Sequence, residues 1–177
     1  METIPVISPL QLARQQHRFN SELTHIWEIL DQVKDPEVPA ISLWDLGILQ
    51  EVHLNHIAGE DRLTVVITPT YSGCPAMREL QVDIKEALNT AGYPLTDVEL
   101  RLSPAWSTEF MTEQGKRDLK AYGIAPPHSK VDSKQAVNCP HCNNDNTEVI
   151  SEFGSTACKS LYKCHDCLEP FDYFKCL

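Results

Sequence analysis

Two pairs of cysteines near the C-terminus have the spacing of a metal site. Cys139 and Cys142 form the first pair, Cys164 and Cys167 form the second, and 21 residues separate them. Four thiolates brought together by a short hairpin make a tetrahedral sulfur site, which Zn²⁺ accepts without a geometric preference of its own. Ligand type and tetrahedral geometry favour zinc over iron. A site closed by four protein thiolates is predicted to hold the fold rather than to perform chemistry.

The residues inside the first pair also allow a redox interpretation. C-P-H-C is the active-site sequence of strongly oxidising disulfide-forming enzymes, in which the first cysteine starts a helix and has a low pKa. Here residues 143–146 are Asn-Asn-Asp-Asn, which favours a turn instead of a helix start. No thioredoxin-like βαβ pattern surrounds the motif, so the metal site is favoured. His141 and His165 are predicted to be solvated loop residues, because four cysteines are available as ligands.

Cys74 is the residue most suited to chemistry outside the metal site. It lies in Tyr71-Ser72-Gly73-Cys74-Pro75, between a predicted buried strand and a predicted helix. Pro75 at the first helical position would leave Cys74 near the N-cap, where free N–H groups and the helix dipole favour an anion. A thiol there is expected to have a lowered pKa and to act as a nucleophile or metal ligand. Free cysteines are also common as small buried apolar residues, so the local pattern leaves both interpretations open.

The other cysteines and two histidines carry weaker signals. Cys158 and Cys176 flank the second cysteine pair, where core packing is favoured over a second, looser metal position because cysteine is often buried. His53 and His56 lie three residues apart on or just after a predicted strand. Their side chains would point to opposite faces, so they are predicted to be surface residues and not a ligand pair.

Composition limits the classes of function. The 177-residue chain has a formal net charge of −10 and offers no basic face for phosphates, which argues against nucleic acid as a partner. No run of about 18 apolar residues predicts a membrane span. The first ten residues lack the pattern of a signal peptide. Seven cysteines, four of them at metal spacing, favour the reducing cytoplasm.

Hydrophobic periodicity divides the chain into four segments. Residues 1–20 are polar and predicted to be flexible, residues 21–123 form the main domain, residues 124–138 form a linker, and residues 139–177 form the zinc ribbon. The fold class is α/β (α+β), a small three-layer-like domain of short strands and helices plus the C-terminal ribbon. No nucleophile–base pattern, phosphate loop or dinucleotide fingerprint is present, which weakens an independent-enzyme interpretation.

The elements of the main domain follow from the same periodicity. A first helix begins at Ser21 and is stopped by a rigid loop over residues 35–39. A second helix runs from Pro75 to Gly92, and helical segments run from about Ser107 to Gly123. The predicted strands are Ile48–Leu54, Leu63–Ile67 and Val98–Leu102. Because the last two flank a helix, they are expected to be parallel and joined by a right-handed crossover.

Several segments resemble a known family. Asp35–Leu49 (DPEVPAISLWDLGIL) and Thr68–Pro75 (TPTYSGCP) resemble two signatures of the metal–sulfur cluster biosynthesis domain, a family of iron–sulfur assembly and targeting factors with a small α/β fold. Ser103–Phe110, Tyr122–Pro127 and Phe153–Cys176 resemble one subgroup, the PaaD-like proteins of the bacterial phenylacetate-degradation cluster. The resemblance extends from about residue 21 to the end of the chain.

The resemblance implies a site and a set of partners. Cys74 matches the family's functional thiol, and Asp35, Glu37 and Asp45 match its acidic loop residues, which would contact a cluster or a client. The family's partner is a multicomponent oxygenase that epoxidises the ring of phenylacetyl-CoA, with a di-iron subunit and a flavin/iron–sulfur reductase. One of these components and the iron–sulfur assembly machinery are the implied partners. Transient iron or iron–sulfur at Cys74 is the implied cofactor. Because one cysteine cannot hold a cluster, a cluster there would be shared across a homodimer or with the client, and the alternative is that Cys74 only docks.

Three hypotheses follow from these residues. The first is a metal–sulfur assembly or targeting factor for the oxygenase, which is not itself an enzyme. The second is a zinc-stabilised structural accessory subunit that handles no metal. The third is a thiol enzyme that uses Cys74 directly, which the missing general base disfavours. Loss of Cys74 separates the first from the second, because a passive subunit should tolerate it.

Overall fold

A helix occupies most of the segment that is predicted to be flexible. The computed structural model describes residues 8–128 and 136–175, and helix α1 spans Pro9–Phe19. Ser8 caps it by accepting a hydrogen bond from the Gln11 N–H at 3.2 Å, with Pro9 at the first helical position. The prediction of a flexible segment is therefore wrong from residue 8 onward. The helix escaped detection because the side chain that it buries is an arginine, Arg14.

The next elements form a helix and a short hairpin. Helix α2 spans Thr24–Leu30 and buries Ile26, Trp27 and Leu30. Strands β1 (Lys34–Asp35) and β2 (Val38–Ser42) pair antiparallel, with Asp35 opposite Val38. The predicted loop over residues 35–39 is thus the turn of a two-stranded hairpin, closed by hydrogen bonds from backbone N–H groups to the Asp35 side chain.

The three predicted strands of the main domain are confirmed as one sheet. Strands β3 (Leu49–Ile57) and β4 (Glu60–Ile67) pair antiparallel, and β4 pairs parallel with β5 (Thr96–Leu100). Helix α3, Met77–Thr90, is the crossover between β4 and β5, and buries Met77, Leu80, Ile84 and Leu88. A parallel pair requires such a crossover. Cys74 lies in the loop that leads from the end of β4 to the start of α3.

The ribbon begins earlier than its first cysteine. Helix α4 (Glu113–Ala121) ends before Gly123, and β6 (Ile124–Ala125) then pairs parallel with β9 (Pro170–Phe174). Strands β7 (Thr147–Ser151) and β8 (Lys159–Cys164) complete a sheet of order β6-β9-β8-β7. The start of the predicted linker, residues 124–138, is therefore a ribbon strand, and part of the remainder lies outside the described residues.

The ribbon shares the hydrophobic core of the main domain, here called the α/β domain (residues 8–123). Cys158 and Phe174 of the ribbon belong to the same buried cluster as Trp27, Leu80 and Trp106. The rings of Trp106 and Phe174 lie 5.9 Å apart. A smaller cluster around Phe171 includes Cys139 and Cys164. Within the two described ranges, no helix has the length and apolarity needed to cross a membrane.

Candidate functional site: a cysteine cage and a thiol at the domain junction

The four ribbon cysteines form a cage of the size that a tetrahedral metal requires. Their sulfur atoms all lie within 4.8 Å of one another, with 3.7 Å between Cys139 and Cys167 and 3.5 Å between Cys142 and Cys164. Metal–sulfur bonds of about 2.3 Å give tetrahedron edges of about 3.8 Å, so the cage fits one ion. It is the metal-binding site predicted from the sequence.

Each cysteine pair lies in a tight turn, here called a knuckle, and the two knuckles share one feature of backbone conformation. The residue after each pair has a left-handed backbone, with φ of 70° at Asn143 and 66° at Leu168. In the second knuckle, hydrogen bonds from backbone N–H groups lower the pKa of Cys164 to about 7. The N–H of Cys167 has the largest effect, and that of Asp166 has a smaller one. A turn that aims N–H groups at sulfur stabilises the thiolate form that binds metal. The side chains of His141 and His165 are exposed, as predicted.

Cys74 lies in a turn before helix α3 and is half-buried. Its N–H donates to the Tyr71 carbonyl at 3.2 Å, and the helix begins at Met77, three residues later. The sulfur accepts a hydrogen bond from the Ala76 N–H and interacts with the Tyr71 hydroxyl. Burial, and after it the nearby Cys74, raises the pKa of Tyr71 to about 12. Tyr71 therefore stays a neutral phenol beside the thiol.

Two of the three acidic residues predicted for the site lie in the electrostatic environment of Cys74. Asp35 is buried, and its Oδ1 accepts hydrogen bonds from the N–H groups of Glu37 at 2.8 Å and Val38 at 3.0 Å. This turn holds Glu37 at the tip of the β1–β2 hairpin. The Glu37 and Asp35 carboxylates both disfavour the Cys74 thiolate. Burial raises the pKa of each carboxyl as well.

Asp45 makes its hydrogen bonds elsewhere. Its carboxylate accepts from Ser42 Oγ at 2.6 Å and from Thr112 Oγ1 at 2.5 Å, and its carbonyl accepts the Thr112 N–H at 3.0 Å. A Cβ added at Gly115 would lie 2.6 Å from the Asp45 carbonyl oxygen, so helix α4 approaches this loop closely. These contacts fasten the loop to α4, and a client contact at Asp45 stays a prediction.

The expected low pKa of Cys74 is wrong. Burial raises the pKa of the thiol above its usual range, and Glu37 and then Asp35 raise it further. The Ala76 N–H and Tyr71 hydrogen bonds lower it but do not reverse the direction. A low pKa was expected because Cys74 was predicted to lie at the start of a helix. Helix α3 begins at Met77, which is too late for Cys74 to cap it, and the carboxylates that raise the pKa belong to the β1–β2 hairpin, which is distant in sequence.

We therefore expect Cys74 to react more slowly than a free thiol at pH 7. Because only the thiolate is nucleophilic, a raised pKa leaves less reactive sulfur, and the rate should climb with pH through the alkaline range. Glu37→Gln should accelerate alkylation by roughly two- to fivefold, the effect of removing a Coulomb interaction of about 0.5–1 kcal/mol. Timed iodoacetamide labelling read by mass spectrometry measures both rates, with the exposed Glu109→Gln as control. Cys74 labelling faster than glutathione would contradict the assignment.

The ribbon contributes two residues to this environment that the sequence did not reveal. Cys158 is buried in the shared core and not among the ribbon's own apolar residues, and Lys159 beside it is also buried. Lys159 interacts electrostatically with both Asp35 and Glu37. Cys158 was expected in the ribbon core, and nothing in its local sequence indicates that it packs in the shared core instead. Cys176 lies outside the described residues.

The two histidines of strand β3 are surface residues, as predicted. His53 lies 3.0 Å from Glu51, and His56 lies 2.9 Å from Asp61. Among the described residues, the ribbon cage is the one group of three or more potential metal ligands gathered within 4.8 Å.

Comparisons with known proteins agree with this architecture. The family described as "PaaD zinc beta ribbon domain" matches residues 124–175, and that described as "Iron-sulfur cluster assembly protein" matches residues 23–100. An Escherichia coli K12 protein, the D component of a "Putative 1,2-phenylacetyl-CoA epoxidase", is 46% identical over 159 residues, which cover 88% of this chain and 94% of that protein. The chain belongs to the PaaD family. The matched ribbon starts at residue 124, where β6 starts, instead of at the predicted residue 139.

Three solved structures are similar to part of this chain. A domain of unknown function from Bacillus anthracis is 23% identical, with a TM-score of 0.48, and the match covers 61% of this chain and 95% of that one. A conserved hypothetical protein from Thermotoga maritima is 22% identical, with a TM-score of 0.46, covering 56% and 94%. A Mycobacterium tuberculosis protein described as associated with [Fe-S] complex assembly and repair is 24% identical, with a TM-score of 0.37, covering 57% and 85%.

Proposed function

We propose that the protein is an assembly or targeting factor for metal centres of the multicomponent oxygenase that epoxidises phenylacetyl-CoA in phenylacetate catabolism. The relative named as a component of the 1,2-phenylacetyl-CoA epoxidase supports the pathway, and the match to an iron–sulfur assembly family supports the role. The client is the di-iron subunit or the iron–sulfur reductase. The protein performs no catalytic step, and it acts in the cytoplasm beside the iron–sulfur assembly machinery.

The observation that carries the proposal is the environment of Cys74. The thiol lies in the segment that matches the assembly family. The Glu37 and Asp35 carboxylates disfavour its thiolate form, and hydrogen bonds from the Ala76 N–H and Tyr71 favour it. A thiol kept protonated by burial and carboxylates resists adventitious alkylation and oxidation. It becomes a ligand when a thiophilic cation displaces its proton, because the cation reverses the local electrostatics.

Zinc is the proposed resident metal of the ribbon, where it is structural. Cys139, Cys142, Cys164 and Cys167 would hold it, leaving no position open for substrate. Iron handled at Cys74 would instead be cargo. These separate tasks explain why one chain carries a closed sulfur cage and a half-buried thiol.

Co-expression tests the proposal. The oxygenase components are produced with the wild type, with Cys74→Ser, with Ser72→Ala as the matched control in the same loop, or with no added protein. Serine preserves size but is not a soft ligand. We expect Cys74→Ser to leave the client folded but as poor in iron as in the absence of the protein, with ring-epoxidising activity lost in parallel. Ser72→Ala, at an exposed position, should behave as the wild type. Full iron and activity without the protein would refute the proposal.

A second function is favoured by one surface of the ribbon. Phe153 is 68% exposed and lines a groove of the ribbon with Leu161 and Phe171, and such an exposed apolar surface suits a contact with another protein of the complex. An accessory subunit held in the complex would need this surface and not Cys74. Full activity with Cys74→Ser, together with none in the absence of the protein, would support this alternative.

A further inference from the structure

A cavity of about 160 Å³ lies between helix α1 and the sheet of the α/β domain. Leu10, Ala13, Arg14 and His17 of α1 form one side of it, and residues of β3 and of the segments that follow β4 and β5 form the other. Neither Cys74 nor a cysteine of the cage lines it. Because an apolar protein cavity of about 150 Å³ can bind benzene, this cavity has room for a ring of that size.

Helix α1 is fixed over the cavity by hydrogen bonds to backbone groups. The Val52 N–H of edge strand β3 donates to His17 Nε2 at 3.2 Å. The Arg14 guanidinium donates to the carbonyl oxygens of Leu49 at 2.7 Å and Phe110 at 2.9 Å. The two sides of the cavity are therefore held together by the fold itself. A cavity formed in advance lowers the cost of ordering that a ligand must overcome.

The lining of the cavity carries more positive than negative charge. Arg14 and Arg101 contribute two guanidinium groups, and Glu51 contributes the one carboxylate of the lining. Burial lowers the pKa of Arg14 to about 9, so this side chain is still a cation at pH 7. The hydrogen bonds from Arg101 lower the pKa of Glu51 to about 2. With His17 counted as neutral, two cations and one anion leave a charge of +1, which favours an anionic ligand in a chain of net charge −10.

Two groups of the lining can donate hydrogen bonds to such a ligand. Arg101 has five N–H donors, and its ion pair with Glu51 uses one at 2.5 Å and one at 3.0 Å. Thr68 is 2% exposed, and its hydroxyl has no hydrogen-bond partner within residues 8–128 and 136–175. A buried hydroxyl costs free energy unless a ligand or water supplies the missing bond. The apolar side chains of the lining are those of Leu10, Ala13, Pro104 and Phe110.

We propose that this cavity binds a small carboxylic acid in its anionic form, with an apolar part about the size of one benzene ring. The carboxylate accepts hydrogen bonds from Arg101 and from the Thr68 hydroxyl. The apolar part lies against Leu10, Ala13 and Phe110. An inorganic anion would leave these apolar side chains without a contact, and a nucleotide exceeds the volume of the cavity. The site does not depend on the assembly role of Cys74.

A ligand in this cavity would contact α1, β3 and the segment after β5 at the same time. It can bind only while α1 is packed on the sheet, so binding should stabilise that packing, by an amount that grows with ligand concentration. The stability of the α/β domain would then respond to the concentration of a small acid.

Isothermal titration of the full-length protein, with its ribbon metal in place, tests the site with benzoate as the probe. Benzamide has the same ring without the negative charge. We expect one benzoate per chain and at least tenfold weaker binding of benzamide. Arg101→Gln should weaken benzoate binding at least tenfold. Arg62→Gln removes the exposed ion pair of Arg62 with Asp97, which lies outside the lining, and should leave binding within about twofold of the wild type.

Variants that change the shape of the cavity supply a second test. Ala13→Leu, at an exposed position of α1, should fill part of the cavity and weaken benzoate binding at least tenfold. Gln16→Leu, which is exposed on the same helix but outside the lining, should bind as the wild type does. Thr68→Val keeps the shape of the side chain and removes the hydroxyl, so binding should weaken about tenfold.

Thermal unfolding of each variant, with and without benzoate, separates lost binding from a damaged fold. Benzoate should raise the unfolding midpoint of the wild type and of Gln16→Leu, but not that of Ala13→Leu. Because Ala13 and Arg101 are not buried, their variants test the site even if Thr68→Val is unstable. The proposal would be overturned by the absence of saturable benzoate binding or by equal affinity for benzamide. Wild-type affinity in both Arg101→Gln and Ala13→Leu would overturn it as well.

Discussion

Removal of the ribbon metal is expected to unfold the ribbon and to destabilise the α/β domain as well. A structural zinc in a peptide of this size contributes on the order of 10 kcal/mol at neutral pH, far more than the small ribbon core can replace. Phe174 and Cys158 would then leave the shared core, and Phe174 is among the largest fully buried side chains. Losing a buried phenylalanine costs about 3–5 kcal/mol, which corresponds to a fall of roughly 12–20 °C in the midpoint of the remaining domain.

The measurement combines elemental analysis with thermal unfolding. Protein purified without chelator should contain one zinc per chain, and Cys164→Ala should lose it together with most soluble yield. Phe174→Ala, which keeps all four ligands, serves as the matched variant, because it should lower the unfolding midpoint of the α/β domain while zinc content stays full. An unchanged midpoint of the α/β domain after metal removal would show that the two domains are independent. Iron in the cage in place of zinc would overturn the choice of metal.

Arg14→Met is expected to lower the free energy of unfolding by about 3 kcal/mol, because it deprives buried carbonyl groups of their donors. The Arg14 guanidinium donates to the carbonyl oxygens of Leu49 at 2.7 Å and Phe110 at 2.9 Å, and to that of Trp44. It also lies 3.6 Å from the centre of the Trp44 ring. Burial, together with nearby Arg18, lowers the pKa of Arg14 to about 9, so part of the gain from these bonds is offset by desolvation.

Arg18→Met in the same helix is the matched control. Arg18 forms a partly exposed ion pair with Asp31 at 2.6 Å and lies 4.5 Å from the Trp44 ring centre. Such a pair and such a stacking contact are each worth about 1 kcal/mol or less, so Arg18→Met should cost clearly less than Arg14→Met. Urea denaturation of both variants gives the comparison. Equal costs would mean that α1 is held by its surface and not by the buried guanidinium.

The elements that the sequence predicted well are those with strong local patterns. Leu63–Ile67 is a run of β-branched and aliphatic residues, and helix α3 repeats its apolar residues with helical period, so both were located within a few residues. The four cysteines of the cage were identified from spacing alone, because metal knuckles are local turns. Helix α1 was missed because its one buried residue is charged, and hydropathy treats Arg14 as solvent-exposed.

The electrostatics of Cys74 depend on the tertiary fold and could not be predicted locally. Pro75 and Gly73 suggested a helix cap and an acidic thiol, whereas the structure places Glu37 and Asp35 nearby, more than 30 residues away in sequence. Cys158, more than 80 residues away, joins the same environment only because the ribbon folds back onto the α/β domain. Sequence patterns located the thiol but not the groups that determine its pKa.

The two-residue strand β6 determines where this protein can be cut and recombined. Ile124 and Ala125 are both buried and pair with Asp172 and Tyr173 of β9, immediately after the glycine that ends α4. The first knuckle also touches α4, through a 2.6 Å hydrogen bond from Lys120 Nζ to Asn143 Oδ1. A chimaera joined just before Cys139 would separate the sheet from its own edge strand. Exchange between relatives should therefore succeed only at a junction before Glu113, so that α4 and β6 are inherited together with their ribbon.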